Sequence, residues 1–204
     1  MKKFIAIAGN IGVGKTTLSK KLAEYFNWSS YVEPAVENPY LADFYQDMNK
    51  WAFLSQLYFL SKRLEDQYNL SINPGSVILD RSLYENSEVF AKNLFLQGFI
   101  STRDWQVYQK FYKICLNILP APDVVIYLKA STETIMARVK KRGREFENLI
   151  SREYVESLNK LYAEWTENFK VAPVLTIDYD KVDLKHNQED FDDFISKISS
   201  YLMD

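Results

Sequence analysis

The eight residues Gly9-Asn-Ile-Gly-Val-Gly-Lys-Thr16 constrain this chain more than any other stretch. They match G-x-x-x-x-G-K-[ST] at every fixed position, between an apolar run, "KFIAIAG", and a helix-forming segment, "GKTTLSKKLAEYF". Glycines let the backbone turn so that successive N–H groups face one anion, and the helix start behind them adds a positive dipole end. A phosphate loop of this kind joins a strand to a helix, so an α/β fold with a parallel sheet is expected. Gly9, Asn10, Ile11, Gly12, Val13, Gly14, Lys15, Thr16 and Thr17 are candidate nucleotide-binding residues. Lys15 suits the β and γ phosphates and the Thr16 hydroxyl suits Mg²⁺, with ATP or GTP as the nucleotide. The competing reading is a glycine turn with no ligand, and an eight-residue match in this setting weighs against it.

The remainder of the chain agrees with that fold. Short Val/Ile-rich runs, "SSYVEP", "SVILD", "DVVIYLK" and "VLTIDYD", alternate with helical segments, which implies a five-stranded parallel sheet covered by helices on both faces. The length of 204 residues suits one domain, 1–204, with no linker or repeat. Apolar residues recur at helical spacing from Leu41 to about Leu70, which reads as one long helix broken near Asn49. Helices are expected over Leu83–Leu96, over Thr102–Leu119 before Pro120, and after Ser131 as N-cap. "REFENLI" reads as a loop, followed by the helix "SREYVESLNKLYAEWTENF" and the amphipathic "QEDFDDFISKISSYL".

Composition excludes several classes. Lys and Arg number 25 against 27 Asp and Glu, so the charge balance argues against binding a nucleic-acid polymer along its surface. The lone Cys115 can build neither a disulfide framework nor a zinc cluster, and a core position in a reducing compartment is expected. The single histidine, His186, rules out a histidine dyad. The apolar run from Phe4 to Ala8 is too short for a signal peptide, and no segment approaches the ~20 apolar residues of a membrane span. A cytoplasmic protein without membrane contact is the expectation.

A phosphate loop alone does not separate a switch, a motor and a small-molecule kinase. Neither D-x-x-G nor N-K-x-D occurs as a GTPase switch would require, which leaves phosphoryl transfer to a small acceptor. In "ILDRS", Asp80 ends a strand where a carboxylate can hold Mg²⁺ directly or through water, and Arg81 can grip an oxygen bidentately. In "ARVKKRGR", Arg138 and Arg142 share a helix face and Arg144 follows a glycine. The cluster suits a lid at about 142–150 that closes over a transferring phosphate; a solvated helix C-terminus is the plainer alternative. In "YVEPAVENPY", Glu33 ends a strand and Pro34 stiffens the chain behind it. By itself Glu33 could equally be surface charge.

Taken together, "GNIGVGKTT", "EP", "FLSQLYFLSKR", "DRS" and "RGREFEN" resemble the deoxyribonucleoside kinases of the deoxycytidine/deoxyguanosine kinase type, and especially the bacterial deoxyadenosine/deoxyguanosine kinases. The resemblance covers roughly residues 3–165. It implies a P-loop kinase fold with an arginine-rich lid, and transfer of the ATP γ-phosphate to the 5′-hydroxyl of a deoxyribonucleoside with Mg²⁺. It further implies Glu33 as general base, Arg81 as the arginine that holds it, and Lys15 and Arg142 at the phosphates. Arg138, Arg142 and Arg144 match the lid arginines, and Tyr45 and Glu147 the pair binding the sugar 3′-hydroxyl. Gln56, Arg63, Asn86 and Phe90 match positions around the base. Asn86 stands where the animal enzymes carry an aspartate, and with the bulky Phe59 it favours purines, deoxyadenosine first. Relatives of this kind are usually homodimers packed through helices.

Two rivals remain at this point. A nucleoside monophosphate kinase of the thymidylate kinase kind shares the phosphate loop, the Asp-Arg segment and the arginine lid, but a carboxylate at Glu33 would repel an acceptor phosphate. A nucleotide-binding regulator without turnover has no obvious use for the clustered arginines.

Overall fold

The computed structural model describes residues 2–32 and 37–202. Strand β1 (Phe4–Gly9) lies at the centre of a five-stranded, all-parallel sheet. Around it stand β2 (Ser29–Val32), β3 (Val77–Asp80), β4 (Val124–Lys129) and β5 (Val174–Asp178), in the order β2-β3-β1-β4-β5. The three inner strands are covered on both faces, which is why their sequences are continuous apolar runs without alternation. The two edge strands are partly exposed and carry the polar residues Ser29, Ser30 and Thr176.

Helix α1 (Lys15–Phe26) follows the phosphate loop and stops at Asn27, whose φ of 54° is the left-handed end that Asn tolerates. The long apolar-periodic region is two helices, α2 (Leu41–Gln46) and α3 (Met48–Ile72). Their break falls at Asp47, two residues before the position expected from the sequence, because the Asp47 carboxylate accepts the Lys50 N–H at 3.2 Å and starts a new helix. Lys2 closes the far end of α3, its ammonium 2.5 Å from the carbonyls of Leu70 and Asn73.

Beyond β3, the expected helix is α4 (Leu83–Glu85), a π turn (Asn86–Ala91) and α5 (Lys92–Leu96) in succession. Helix α6 (Thr102–Ile118) carries Cys115 on its buried side, as expected. Helix α7 (Thr132–Arg142) starts at Ser131, which caps it as the sequence suggested. The stretch expected as a loop contains a 3₁₀ turn (Glu145–Leu149) that buries Glu147. Helices α8 (Arg152–Asn168) and α9 (Gln188–Leu202) complete the layers. No helix among the described residues is long and apolar enough to cross a membrane.

Candidate functional site

From β1 the chain runs through α1 to β2 and back to β3 on one side, and after β3 it crosses to β4 and β5 on the other, so the carboxyl end of β1 is the switch point where open parallel sheets hold ligands. The phosphate loop starts there. Gly9 approaches β4 so closely that a Cβ would lie 2.8 Å from the Leu128 carbonyl oxygen. Gly12, at φ 72°, would drive a Cβ to 2.9 Å from Val139 of α7. Both positions therefore require glycine. Asn10 turns its side chain inward: Nδ2 donates to the Val155 carbonyl and to Asn159 Oδ1 of α8, and Oδ1 accepts the Ile11 N–H at 2.7 Å. Only its backbone is left to face a ligand.

Lys15 is buried and donates to the carbonyls of Gly9 (2.8 Å) and Asn10 (2.9 Å). Burial lowers its pKa to about 7; Arg81 lowers it too, while Asp80 and Glu85 act against both. The Thr16 hydroxyl donates to the Asp80 carboxylate. A hydroxyl and a carboxylate side by side are hard oxygen donors, and Mg²⁺ characteristically takes one or two such protein ligands together with phosphate oxygens, so this pair fits that ion. Among the described residues no group of three or more His, Cys, Asp and Glu could hold a metal by itself.

Arg81 follows at the strand end in a left-handed conformation, φ 76°, which is strained for a residue with a side chain. Its amide donates to the Ile7 carbonyl at 3.0 Å, and its guanidinium carbon lies 4.1 Å from the centre of the Phe90 ring. The π turn keeps Asn86 and Phe90 both on the cavity that Arg81 faces.

That cavity encloses about 860 Å³ between the phosphate loop, α3, the π turn and the 3₁₀ turn, its mouth included. It brings together Ile11, Gly12, Lys15, Thr16, Asp80 and Arg81 with Tyr45, Gln56, Arg63, Asn86, Phe90, Arg142, Arg144 and Glu147. Every one of these had been singled out from the sequence. Glu147, only 4% exposed, is gripped by Arg142 through two bonds of 2.8 and 2.5 Å, and Arg144 stands 3.4 Å away. Burial and the neighbouring Glu147 charge push the Tyr45 hydroxyl far above its usual range, so it stays a proton donor. Gln56 is buried, and its Oε1 has no hydrogen-bond partner among the described residues. Arg63 reaches the Asp80 carbonyl and sits 3.5 Å from Asp66, while Asn86 Nδ2 donates to Tyr108.

A second cavity opens on the other side of the loop, lined by Gly12, Val13, Gly14, Thr17, Arg138 and the turn after β5 from Tyr179 to His186. Arg138 donates to the Val13 carbonyl at 2.5 Å and lies over the Tyr179 ring at 5.4 Å. Arg138 and Arg142, expected on one helix face, are thus divided, Arg138 at the second cavity and Arg142, with Arg144, at the first.

Glu33, proposed from the sequence as the base, lies outside the described residues; its neighbour Val32 pairs with Asp80. Sequence reasoning missed Phe146 and Tyr154, which also line the first cavity, and Glu85 beneath the loop. The Ser82-to-Glu85 spacing is a capping-box signature and was the one available signal for Glu85. Tyr154 carries no such signal, since only the docking of α8 brings it to the cavity.

A phosphate loop at the switch point of a parallel sheet, a hydroxyl–carboxylate pair suited to Mg²⁺ and an adjoining cavity lined with arginines define a P-loop phosphotransferase. Comparison with known proteins makes the class narrower: residues 5–203 match the deoxynucleoside kinase family, and the chain belongs to it. It is 35% identical over 202 residues to the deoxyadenosine/deoxycytidine kinase of Bacillus subtilis, covering 98% of this chain and 93% of that protein. It is 37% identical over 176 residues to the deoxyadenosine kinase of Dictyostelium discoideum, covering 86% of this chain and 71% of that one. The deoxyadenosine kinase of M. mycoides, solved with dCMP and a flexible dCDP, superposes with a TM-score of 0.84 at 34% identity, over 97% of this chain and 99% of that one.

Proposed function

We propose that this deoxynucleoside kinase transfers the γ-phosphoryl group of ATP to the 5′-hydroxyl of deoxyadenosine in nucleotide salvage, with deoxycytidine, in place of the second purine expected from the sequence, as its other acceptor. The observation that carries the reading is Gln56: a buried amide oxygen with no partner among the described residues, in a cavity that also reaches Lys15 and Arg81. Adenine and cytosine each present an amino group beside a ring nitrogen, and a Gln side chain matches both with one acceptor and one donor. The name of the Bacillus relative gives both bases, those of the Dictyostelium and M. mycoides relatives give deoxyadenosine, and the M. mycoides structure holds dCMP.

In this reading Phe90 stacks on the base, and Arg63 and Asn86 flank it. Tyr45 and Glu147 bind the sugar 3′-hydroxyl, where the Tyr45 proton and the Glu147 carboxylate supply one donor and one acceptor. Glu33 takes the proton from the 5′-hydroxyl, whose oxygen then attacks the γ-phosphorus as the bond to the ADP oxygen breaks. Arg81 steadies the base and the incoming oxygen. The loop amides from Gly9 to Thr17 and Lys15 hold the donor phosphates, with Arg138, Arg142 and Arg144 as lid arginines over them. Thr16 and Asp80 would hold Mg²⁺, which would supply positive charge against the donor phosphates.

The protein works as one domain in the cytoplasm and as a homodimer. Helix α6 presents Val107, Phe111, Ile114 and Ile118, spaced at four, three and four residues and 41–67% exposed, as a stripe for a second copy.

The deciding experiment measures ADP release with ATP and deoxyadenosine, with ATP and dAMP, and with ATP alone. Acceptor-dependent release with deoxyadenosine is expected. Release only with dAMP would sink the nucleoside assignment, and no acceptor-dependent release would sink turnover itself.

A further inference from the structure

Glu85 has no part in the reading above, yet its side chain is wholly buried, 0% exposed, directly beneath the phosphate loop. One carboxylate oxygen, Oε2, accepts the Gly9 N–H at 2.9 Å and the Tyr162 hydroxyl at 2.5 Å. The other, Oε1, accepts the Ser82 N–H at 3.2 Å, closing the capping box of α4. A buried carboxylate is costly unless its oxygens are met by donors, and here three donors from three elements meet it. One comes from the end of β1, one from the segment after Arg81, and one from α8.

The same contacts fix the first residue of the loop through both of its backbone polar groups. The Gly9 N–H is held by Glu85. The Gly9 carbonyl receives Lys15 Nζ at 2.8 Å and lies 2.8 Å from the Tyr162 hydroxyl, whose single proton is shared between that carbonyl and Glu85. Tyr162 cannot swing away, since its ring stacks on Tyr127 of β4 at 5.3 Å and meets Phe90 edge-on at 6.1 Å. Gly9 carries the phosphate loop and Ser82 directly follows Arg81, so one carboxylate joins the donor-phosphate frame to the acceptor frame.

We propose that Glu85 is a positioning residue, which with Tyr162 locks the Gly9 peptide to the Asp80–Ser82 segment so that donor phosphate and acceptor hydroxyl stay in line. The two substrates are bound by other groups, so loosening this lock misaligns the reacting atoms without removing a binding contact. Misplacement on the order of 1 Å costs about 10²-fold in rate.

The kinetic part rests on the phosphotransfer reading, and hydrogen exchange supplies a readout that does not. The variants are Glu85→Gln, Glu85→Asp and Tyr162→Phe. With ATP and deoxyadenosine, Glu85→Gln should lower kcat by about 10–100-fold while both KM values change less than about threefold. Glu85→Asp keeps the charge but withdraws the carboxylate by one bond, about 1.5 Å, and should also be slow. Tyr162→Phe keeps the ring and loses only the hydroxyl; a drop of roughly fivefold in kcat is expected. The Glu85→Gln, Tyr162→Phe double variant should fall short of the product of the single effects. Amide exchange over 9–15 and over 81–85 should rise together in Glu85→Gln. Full activity in Glu85→Asp, a KM rise matching the kcat loss, or exchange rising over one segment alone would each overturn the proposal. If Glu85→Gln does not fold, Tyr162→Phe with unchanged kcat and exchange overturns it instead. A wild-type protein without turnover removes the kinase reading, and the exchange measurements still decide the lock.

Discussion

On one side of the phosphate loop, Gln56, Asn86, Phe90, Glu147 and Tyr154 are buried, and the charges there are bonded to one another, Glu147 to Arg142 and Arg63 beside Asp66. On the other side, Thr17, Asp180, Lys181, Asp183, Lys185 and His186 are exposed, and Asp183 spends its carboxylate on the amides of its own turn. Buried polar groups must be met by matching partners, whereas exposed ones can turn to water at little cost. The proposed function puts the acceptor nucleoside in the first cavity and the donor phosphates on the loop; we infer that the donor base then lies in the second cavity, which tolerates it. This difference can be broken by experiment.

The largest effect is expected at the proposed general base. Glu33→Gln should retain ATP binding but lower kcat by at least ~10²-fold, because a primary alcohol attacks poorly without a base. Isothermal titration with ATP beside steady-state kinetics checks both halves, and an unchanged kcat would remove Glu33 from that role. Next, Gln56→Ala should cut kcat/KM for deoxyadenosine by about 10–100-fold, the worth of one well-made base contact, and leave the KM for ATP alone. Equal damage to both substrates would erase the distinction between the cavities.

How far these residues could be read from the sequence depended on the kind of signal each carries. The phosphate loop is a contiguous motif, and Lys15, Thr16 and the helix behind them followed from it. Asp80 and Arg81 were visible because a charged pair at the end of an apolar strand is conspicuous. Gln56, Tyr45 and Phe90 lie on helical segments where periodicity alone suggests surface or core, and only resemblance to relatives singled them out. The break at Asp47 was placed two residues late, since an N-cap acts through geometry that periodicity does not register. The π turn has no local signature, and Tyr154 reaches the cavity only through the packing of α8. Long-range docking is the part that a linear pattern withholds.

Lys15 adds a stability test to the comparison. Its amine titrates near 10.5 when unfolded and near 7 in the fold, chiefly because burial disfavours the charge. Between those values the unfolded chain holds the extra proton, so stability rises with pH, by up to about 1.4 kcal/mol per unit. Below pH 7 the cost is present in full. Lys15→Met should therefore be more stable than the parent at pH 7, with the gap closing toward pH 10, as read from urea midpoints. Lys185→Met, in the exposed turn of the second cavity, should leave the midpoint where it was at both pH values. A constant gap for Lys15→Met would mean that the buried amine carries no such cost.

The smallest effect concerns the donor base. The second cavity surrounds its opening with side chains of both signs, Lys181 and Lys185 beside Asp180 and Asp183, and all four are exposed. Such groups can hydrogen-bond an adenine, a guanine or a uracil edge by turning, so no donor base leaves a buried group unpaired. Exchanging ATP for GTP or UTP should then change kcat/KM by less than about tenfold, under 1.4 kcal/mol. Exchanging deoxyadenosine for deoxyguanosine presents Gln56 with a carbonyl and a ring N–H where the amino group and ring nitrogen stood. The amide must flip inside a packed site to accommodate them, so the acceptor exchange should cost more than the donor exchange. Parallel kinetics with the three donors and the two acceptors measure the two differences directly, and a donor discrimination larger than the acceptor discrimination would reverse the assignment of selectivity between the cavities.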